Sequence, residues 1–231
     1  MKPIIGIVGR CQNNDGYSLI GVVDQLRNAV IKCGGIPILI LPTQLIEYDN
    51  IKEDTPNKLT EEEKEDLIRQ IKLCDGIIIP GGTKIFEYDK FICKYTIKND
   101  INTLGICLGM QIMYVVDTNS DLKKIKKHND KKSKYVHEIN IKDESMLRKI
   151  LGQKIFVNSR HNEAIKNTNS YIISAYSKDG VIEGIEYPLN KFNVGVQWHP
   201  ESMILYDIKQ YDLMKKFMSI VFENVSKKFK H

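Results

Sequence analysis

The sequence predicts an α/β fold, with a central, mostly parallel sheet flanked by helices and a smaller antiparallel portion in the second half. Three observations carry this. Short, continuous apolar runs at residues 4–8, 36–41, 76–79 and 103–106 mark the first half, as strands buried on both faces do. Segments of helical periodicity alternate with these runs, the pattern of a sheet covered on both sides. Beyond residue 135 the chain changes to strand-like runs joined by turn residues such as Lys178-Asp179-Gly180.

The elements follow in order. Residues 4–8 form the first strand and stop at Gly9. Leu19, Ile20, Val22, Val23, Leu26, Ala29 and Val30 lie at helical spacing over residues 18–33, and Gly34-Gly35 ends that helix. The run at 36–41 is closed by Pro42. Thr60 and Glu63 form a capping box, in which each side chain satisfies the other residue's backbone N–H. Leu67, Ile68, Ile71 and Leu73 give that helix its apolar face. The third strand, 76–79, breaks at Pro80-Gly81-Gly82, and the fourth, 103–106, runs into a helix over 108–116. Strands are then expected at 136–141, 154–157, 171–177, 181–187 and 194–197. A closing helix over 207–229 carries Ile208, Tyr211, Met214, Phe217, Met218, Val221, Phe222 and Val225 largely on one stripe, which reads as packing on the sheet, the alternative being a membrane-surface helix. No repeat or linker divides the chain, so residues 1–231 are expected to form a single domain.

Composition sets the class. With 42% hydrophobic and 27% charged residues the chain is an ordinary globular protein. It has no apolar stretch long enough to span a bilayer and no signal-peptide pattern. Its five cysteines (Cys11, Cys33, Cys74, Cys93, Cys107) are odd in number and not in C-x-x-C spacing. Free thiols in a cytoplasmic protein are expected. Neither a metal nor a cofactor is expected, and zinc in particular is not, because no H-E-x-x-H or paired-cysteine spacing occurs and the five histidines are scattered. The net charge of +5 lies wholly in residues 121–134, where seven lysines face two aspartates. The remainder is neutral, which argues against nucleic acid as a partner. The segment reads as a solvated loop or as lysines lining the approach of an anionic substrate or partner.

The most informative pentapeptide is Gly105-Ile106-Cys107-Leu108-Gly109. It lies between a short strand and a helix and fits a nucleophile elbow, with Cys in the position other hydrolases give to Ser. The sharp turn needs small residues two before and two after the nucleophile. It also places the thiol at a helix N-terminus, which favours the thiolate. Further on, Gln197-Trp198-His199-Pro200-Glu201 supplies an imidazole and a carboxylate from one turn stiffened by proline. A cysteine nucleophile needs such a base, and the base needs a carboxylate to orient it. Cys107, His199 and Glu201 are therefore the expected catalytic residues. Pro80-Gly81-Gly82 ends a parallel strand, on the edge where ligands bind such sheets. The oxyanion hole is assigned to the N–H groups of Gly82 and Leu108.

These motifs resemble the class I glutamine amidotransferase-like superfamily, whose members pair an elbow cysteine with a C-terminal His-x-Glu. The resemblance covers essentially the whole chain and implies a flavodoxin-like architecture. Pro3-Ile4-Ile5-Gly6-Ile7, Gly34-Gly35-Ile36-Pro37, Val157-Asn158-Ser159-x-His161 and the run from Asp179 to Glu186 resemble its gamma-glutamyl hydrolase branch. The chain departs from that branch at Leu108, where arginine is common, in the lysine-rich segment, and in a short stretch between Gly82 and Thr103. The resemblance implies hydrolysis of a gamma-glutamyl amide through a thioester. It adds Gln111 as a substrate-binding residue that positions the glutamyl group, and Ser159 and His161 as substrate-binding candidates at the rim of the site, the alternative for their loop being a structural role. The partner implied is a small gamma-glutamyl molecule. The alternative is a glutaminase subunit serving a synthase, and a homodimer is also left open.

Overall fold

The computed structural model describes residues 1–14, 17–46, 48 and 58–228. In chain order the elements are β1 (Ile4–Val8), β2 (Arg10–Asn14), β3 (Tyr17–Gly21), α1 (Asp24–Lys32), β4 (Ile36–Ile40), α2 (Glu61–Lys72), β5 (Gly76–Ile79), α3 (Glu87–Lys98), β6 (Thr103–Ile106) and α4 (Leu108–Thr118). There follow β7 (Lys123–Lys124), β8 (Asn129–Asp130), β9 (His137–Ile141), α5 (Met146–Leu151), β10 (Lys154–Val157), β11 (Ser159–Arg160) and β12 (Glu163–Ala164). The chain ends through β13 (Ile172–Ser177), β14 (Ile182–Glu186), β15 (Asn193–Val196) and α6 (Ile208–Lys228). Phe229, the expected end of the closing helix, lies outside the described residues.

Nine strands form one sheet in the order β10-β9-β13-β14-β15-β6-β5-β1-β4. Its β15-β6-β5-β1-β4 half is parallel. The pairings from β10 to β15 are antiparallel. The sheet is therefore mixed in the way the change of pattern near residue 135 predicts. One face is covered by α1, α5 and α6, through Leu26, Val30, Leu147, Leu213, Phe217 and Val221. The other is covered by α2, α3 and α4, through Leu67, Ile71, Ile92, Met110 and Met113. The buried β5 and β6 have the predicted limits, and the capping box at Thr60 and Glu63 is formed.

Helix α5 fills a stretch where the sequence reading has no element, and three other segments differ from that reading. Residues 17–21 are not the start of a helix but β3, paired with β2 from Arg10↔Gly21 to Asn14↔Tyr17. The intervening Asp15-Gly16 is a dipeptide that favours hairpins, whereas Leu19, Ile20, Val22 and Val23 mimic helical spacing. α3 fills the stretch between Gly82 and Thr103, with its first turn held by the Asp89 carboxylate accepting from the Phe86 N–H at 3.0 Å. The lysine-rich segment is pinned by two short antiparallel ladders, Lys123–Lys124 to Glu163–Ala164 and Asn129–Asp130 to Ser159–Arg160.

Candidate active site

The register of the parallel strands gathers the site. Val196 stands opposite Ile106, and Ile79 opposite Gly105. The residues leaving β5, β6 and β15 (Pro80-Gly81-Gly82, Cys107 and Gln197-Trp198-His199) thus emerge side by side at the carboxyl edge of the sheet. Ligands bind at this edge in such folds. The Cys107 N–H donates to Val196 O at 2.8 Å, tying the two turns together.

Cys107 has φ 52° and ψ −104°, a strained conformation for a residue with a side chain. The neighbouring glycines make it possible. A Cβ on Gly109 would lie 1.9 Å from Ile79 O, and one on Gly105 would lie 2.9 Å from the Gly109 carbonyl carbon. Both glycines are steric requirements of the elbow. Leu108 opens α4, so its N–H belongs to the unpaired first turn of the helix. Gly82 lies against Leu108, and a Cβ there would meet Leu108 Cδ2 at 2.9 Å. The two residues assigned to the oxyanion hole are therefore neighbours on the cavity wall.

His199 Nδ1 lies 2.8 Å from Glu201 Oε1. A Cβ on Gly81 would come within 2.8 Å of His199 Cε1 and 3.5 Å of Cys107 Cβ. The bare Cα of Gly81 therefore leaves the space in which imidazole and thiol approach. Burial disfavours the charged ring, but the charges of Glu201 and of Cys107 outweigh it and raise the His199 pKa to about 10. Such a set can hold a thiolate–imidazolium pair, attack a carbonyl carbon and return a proton to a leaving group.

Other residues support this set without having been given a role in it from the sequence. Asn158 grips the His199 backbone from both sides, donating to its carbonyl at 2.9 Å and accepting from its N–H at 2.8 Å. Fully buried Trp198 donates to Gln210 Oε1 at 2.8 Å and fixes the same turn on α6. Arg10 donates to Pro80 O through Nε (3.2 Å) and an η nitrogen (2.9 Å), and pairs with buried Asp89. It thereby holds the loop that carries Gly81 and Gly82. Arg10 and Asp89 lie 79 residues apart in the chain, so no local spacing announces them.

Cys107, Leu108, Gly82, Gln111 and His161 all line a cavity of about 630 Å³. Gln111 donates to Gln197 Oε1 at 3.3 Å and Glu163 O at 3.0 Å, and Gln197 donates to Cys107 Sγ at 3.6 Å. The His161 ring forms wall, but its nitrogens face Glu163 O and Glu183. Ser159 is buried, and its hydroxyl donates to His128 O at 2.6 Å. It anchors the lysine-rich segment one layer behind the wall. Lys124, Lys126, Lys131 and Arg160 line the cavity, with Glu163 as the opposing anion. A larger cavity of about 870 Å³, beside α5 and α6, holds none of these groups.

The Peptidase C26 family model matches residues 86–201, half of the chain, spanning Cys107 through Glu201. The chain belongs to the Peptidase C26 family. With its Peptidase C26 assignment it stands among glutamine amidotransferase-like proteins and gamma-glutamyl hydrolases. It is 30% identical to a glutamine amidotransferase-like protein of Rickettsia prowazekii, over 87% of this chain and 91% of that protein. It is 25% identical to the gamma-glutamyl-gamma-aminobutyrate hydrolase of Escherichia coli, over 87% of this chain and 86% of that one. Among solved structures it is similar to a Thermoplasma acidophilum protein described as a GMP synthase subunit. The TM-score is 0.69 at 16% identity, covering 99% of this chain and 98% of that one. That likeness shows the class I glutamine amidotransferase fold. Among the described residues of this Peptidase C26 member, no helix is long and apolar enough to cross a membrane.

Proposed function

We propose that this chain is a cysteine-dependent hydrolase that cleaves the gamma-glutamyl amide bond of a glutamine-like or gamma-glutamyl-amine substrate. One observation carries the reading: strained Cys107 lies on a cavity wall beside His199, which is itself 2.8 Å from Glu201. Cys107 Sγ attacks the gamma-carbonyl carbon. The oxyanion that forms accepts from the Gly82 and Leu108 N–H groups. The imidazolium of His199 protonates the departing amine as the C–N bond breaks, leaving a thioester on Cys107. His199 then takes a proton from water as its oxygen attacks the thioester carbon; the C–S bond breaks, free glutamate is released, and His199 returns the proton to the sulfur. Glu201 keeps the ring oriented throughout. Gln111 contacts the glutamyl group, while Ser159 and His161 shape the wall. The four cations at the mouth favour a substrate whose leaving amine carries negative charge.

The test is a panel of gamma-glutamyl amides, from glutamine to conjugates with acidic amines, with Cys107→Ala as control and quenched intact-mass detection of the acyl-enzyme. Turnover of acidic conjugates with an adduct of one glutamyl group supports the reading. Undiminished hydrolysis by Cys107→Ala ends it. A second reading, a glutaminase subunit supplying ammonia to a synthase, is supported by Leu108 after the nucleophile and by the likeness to the GMP synthase subunit. It predicts weak glutamine hydrolysis alone, raised strongly by a co-purifying partner.

A further inference from the structure

Three of the five histidines converge on one buried carboxylate, outside the Cys107–His199–Glu201 set. Glu183 on β14 is fully buried. Its Oε1 lies 3.2 Å from His128 Nδ1, 3.2 Å from His137 Nε2 and 3.7 Å from His161 Nε2. None of these approaches has hydrogen-bond alignment: the three ring nitrogens and both Glu183 oxygens are buried without a hydrogen-bond partner among the described residues. Unsatisfied buried polar atoms are rare in native structures and call for a physical explanation.

The far sides of two rings sharpen the question. His128 Nε2 lies 3.1 Å from Asp179 Oδ2, and His161 Nδ1 lies 2.9 Å from Glu163 O. Each of those nitrogens is placed to donate a proton. In the neutral imidazole the other nitrogen then carries a lone pair, and in both residues that lone pair faces the Glu183 carboxylate. Lone pairs facing a carboxylate repel unless a positive charge lies between them. Protonating all the rings would put cations side by side, with ring centroids 4.6 Å (His128–His137) and 4.9 Å (His128–His161) apart. One dication held by neutral rings balances Glu183 and Asp179 without that repulsion.

We propose that His128 Nδ1, His161 Nε2 and Glu183 form a zinc-class structural metal site, with His137 Nε2 beside the same carboxylate oxygen. The ligand atoms of His128, His161 and Glu183 lie within 4.8 Å of one another. In a tetrahedral site with bonds of about 2.0–2.1 Å, neighbouring ligand atoms lie about 3.3 Å apart. The Oε1 separations of 3.2 Å to His128 and 3.7 Å to His161 are close to that edge. An imidazole and carboxylate donor set suits zinc. The Asp179 carboxylate and the Glu163 carbonyl are the outer partners that orient metal-bound histidines. The ion would tie the lysine-rich segment (His128) and the cavity wall (His161) to β14, fixing the mouth of the cavity. Sequence spacing hides the set, because positions 128, 137, 161 and 183 fall in different strands and turns.

The test uses untagged full-length protein, stripped with chelator and titrated with Zn²⁺ alone, with bound metal measured by mass spectrometry and Tm by calorimetry. One zinc per chain is expected, with a higher Tm on loading and a tetrahedral visible spectrum on Co²⁺ substitution. Asp179→Asn, an exposed outer partner, should weaken binding about 10–100-fold without unfolding the chain. Zinc bound at the thiol instead would vanish in Cys107→Ala and survive in Asp179→Asn, which would overturn the proposal. So would a wild-type chain that takes up no stoichiometric zinc and shows no shift in Tm, leaving a proton-held cluster. None of these readouts depends on hydrolysis of a gamma-glutamyl amide.

Discussion

Replacing Gly109 by alanine tests the elbow more directly than replacing the nucleophile. The added Cβ would lie 1.9 Å from Ile79 O, a backbone atom of a fully buried strand, whereas real contacts stay beyond 3.0 Å. Neither side can yield by rotating a side chain, so the first turn of α4 must move by about 1 Å, and overpacking of this kind costs about 1–3 kcal/mol. For a chain of this length each kcal/mol lowers Tm by about 2–4 °C, so a fall of several degrees is expected. The same shift moves Cys107 Sγ and the Leu108 N–H together. A misplacement of about 1 Å costs roughly 100-fold in rate, equivalent to about 2.7 kcal/mol of barrier. Calorimetry and kcat/KM on a gamma-glutamyl amide measure the two effects. Gly21→Ala, where no atom lies within 4 Å of the added carbon, is the control and should stay within about 0.5 kcal/mol of wild type. Wild-type Tm and wild-type kcat/KM in Gly109→Ala would refute the steric account of the elbow.

Glu201→Gln removes one of the two charges that raise the His199 pKa to about 10. The alkaline limb of kcat/KM should then move down from near pH 10 towards the ordinary value of 6.5; an unmoved limb refutes the assignment. The stability gained from the charged ring is complete below 6.5 and is lost as pH rises through about 10. The margin of wild type over Glu201→Gln should therefore shrink in urea titrations across that window. Raising salt should reduce kcat/KM for an acidic gamma-glutamyl conjugate by about 10-fold and spare glutamine. The combined Lys124→Gln, Lys126→Gln, Lys131→Gln variant should lose that salt dependence, and a salt-insensitive wild type would show that the lysines take no part in capture. Arg10→Met leaves Asp89 buried without its cation and should cost about 3–5 kcal/mol, read as a large shift of the urea midpoint.

What could be read from sequence divides according to whether the determinant is local. β5 and β6 are apolar throughout because helices cover both faces of the sheet, and their limits were legible to the residue. Cys107, with its flanking glycines, and the His199-Pro200-Glu201 turn were legible for the same reason: a few consecutive residues carry the steric demand. The hairpin of β2 and β3 was lost because its apolar residues also fit a helical period. α3 was lost because a carboxylate inside its own first turn, rather than a preceding Ser or Thr, satisfies its start. Asn158, 41 residues from His199, and Arg10, 79 from Asp89, act across the fold and leave no periodic trace.

The lysine-rich segment shows how locality fails for charge as well. As a run of like charges it reads as a solvated loop, since exposed lysines are strongly hydrated and repel one another. The ladders to β11 and β12, the hydroxyl of Ser159 on His128 O and the contacts of His128 with Asp179 and Glu183 instead hold the segment against the cavity. Charge near a low-dielectric wall acts more strongly on a ligand than the same charge in open solvent. Fixing the segment also removes the entropy that a free loop would lose on each binding event. On the proposed function, the polar contacts buried behind the wall would turn a charged run into a specificity element. If they fail, in Asp179→Asn or on removal of a bound ion, KM for an acidic substrate should rise while kcat, set at Cys107 and His199, changes little. An equal fall in kcat would mean that the segment also positions the nucleophile.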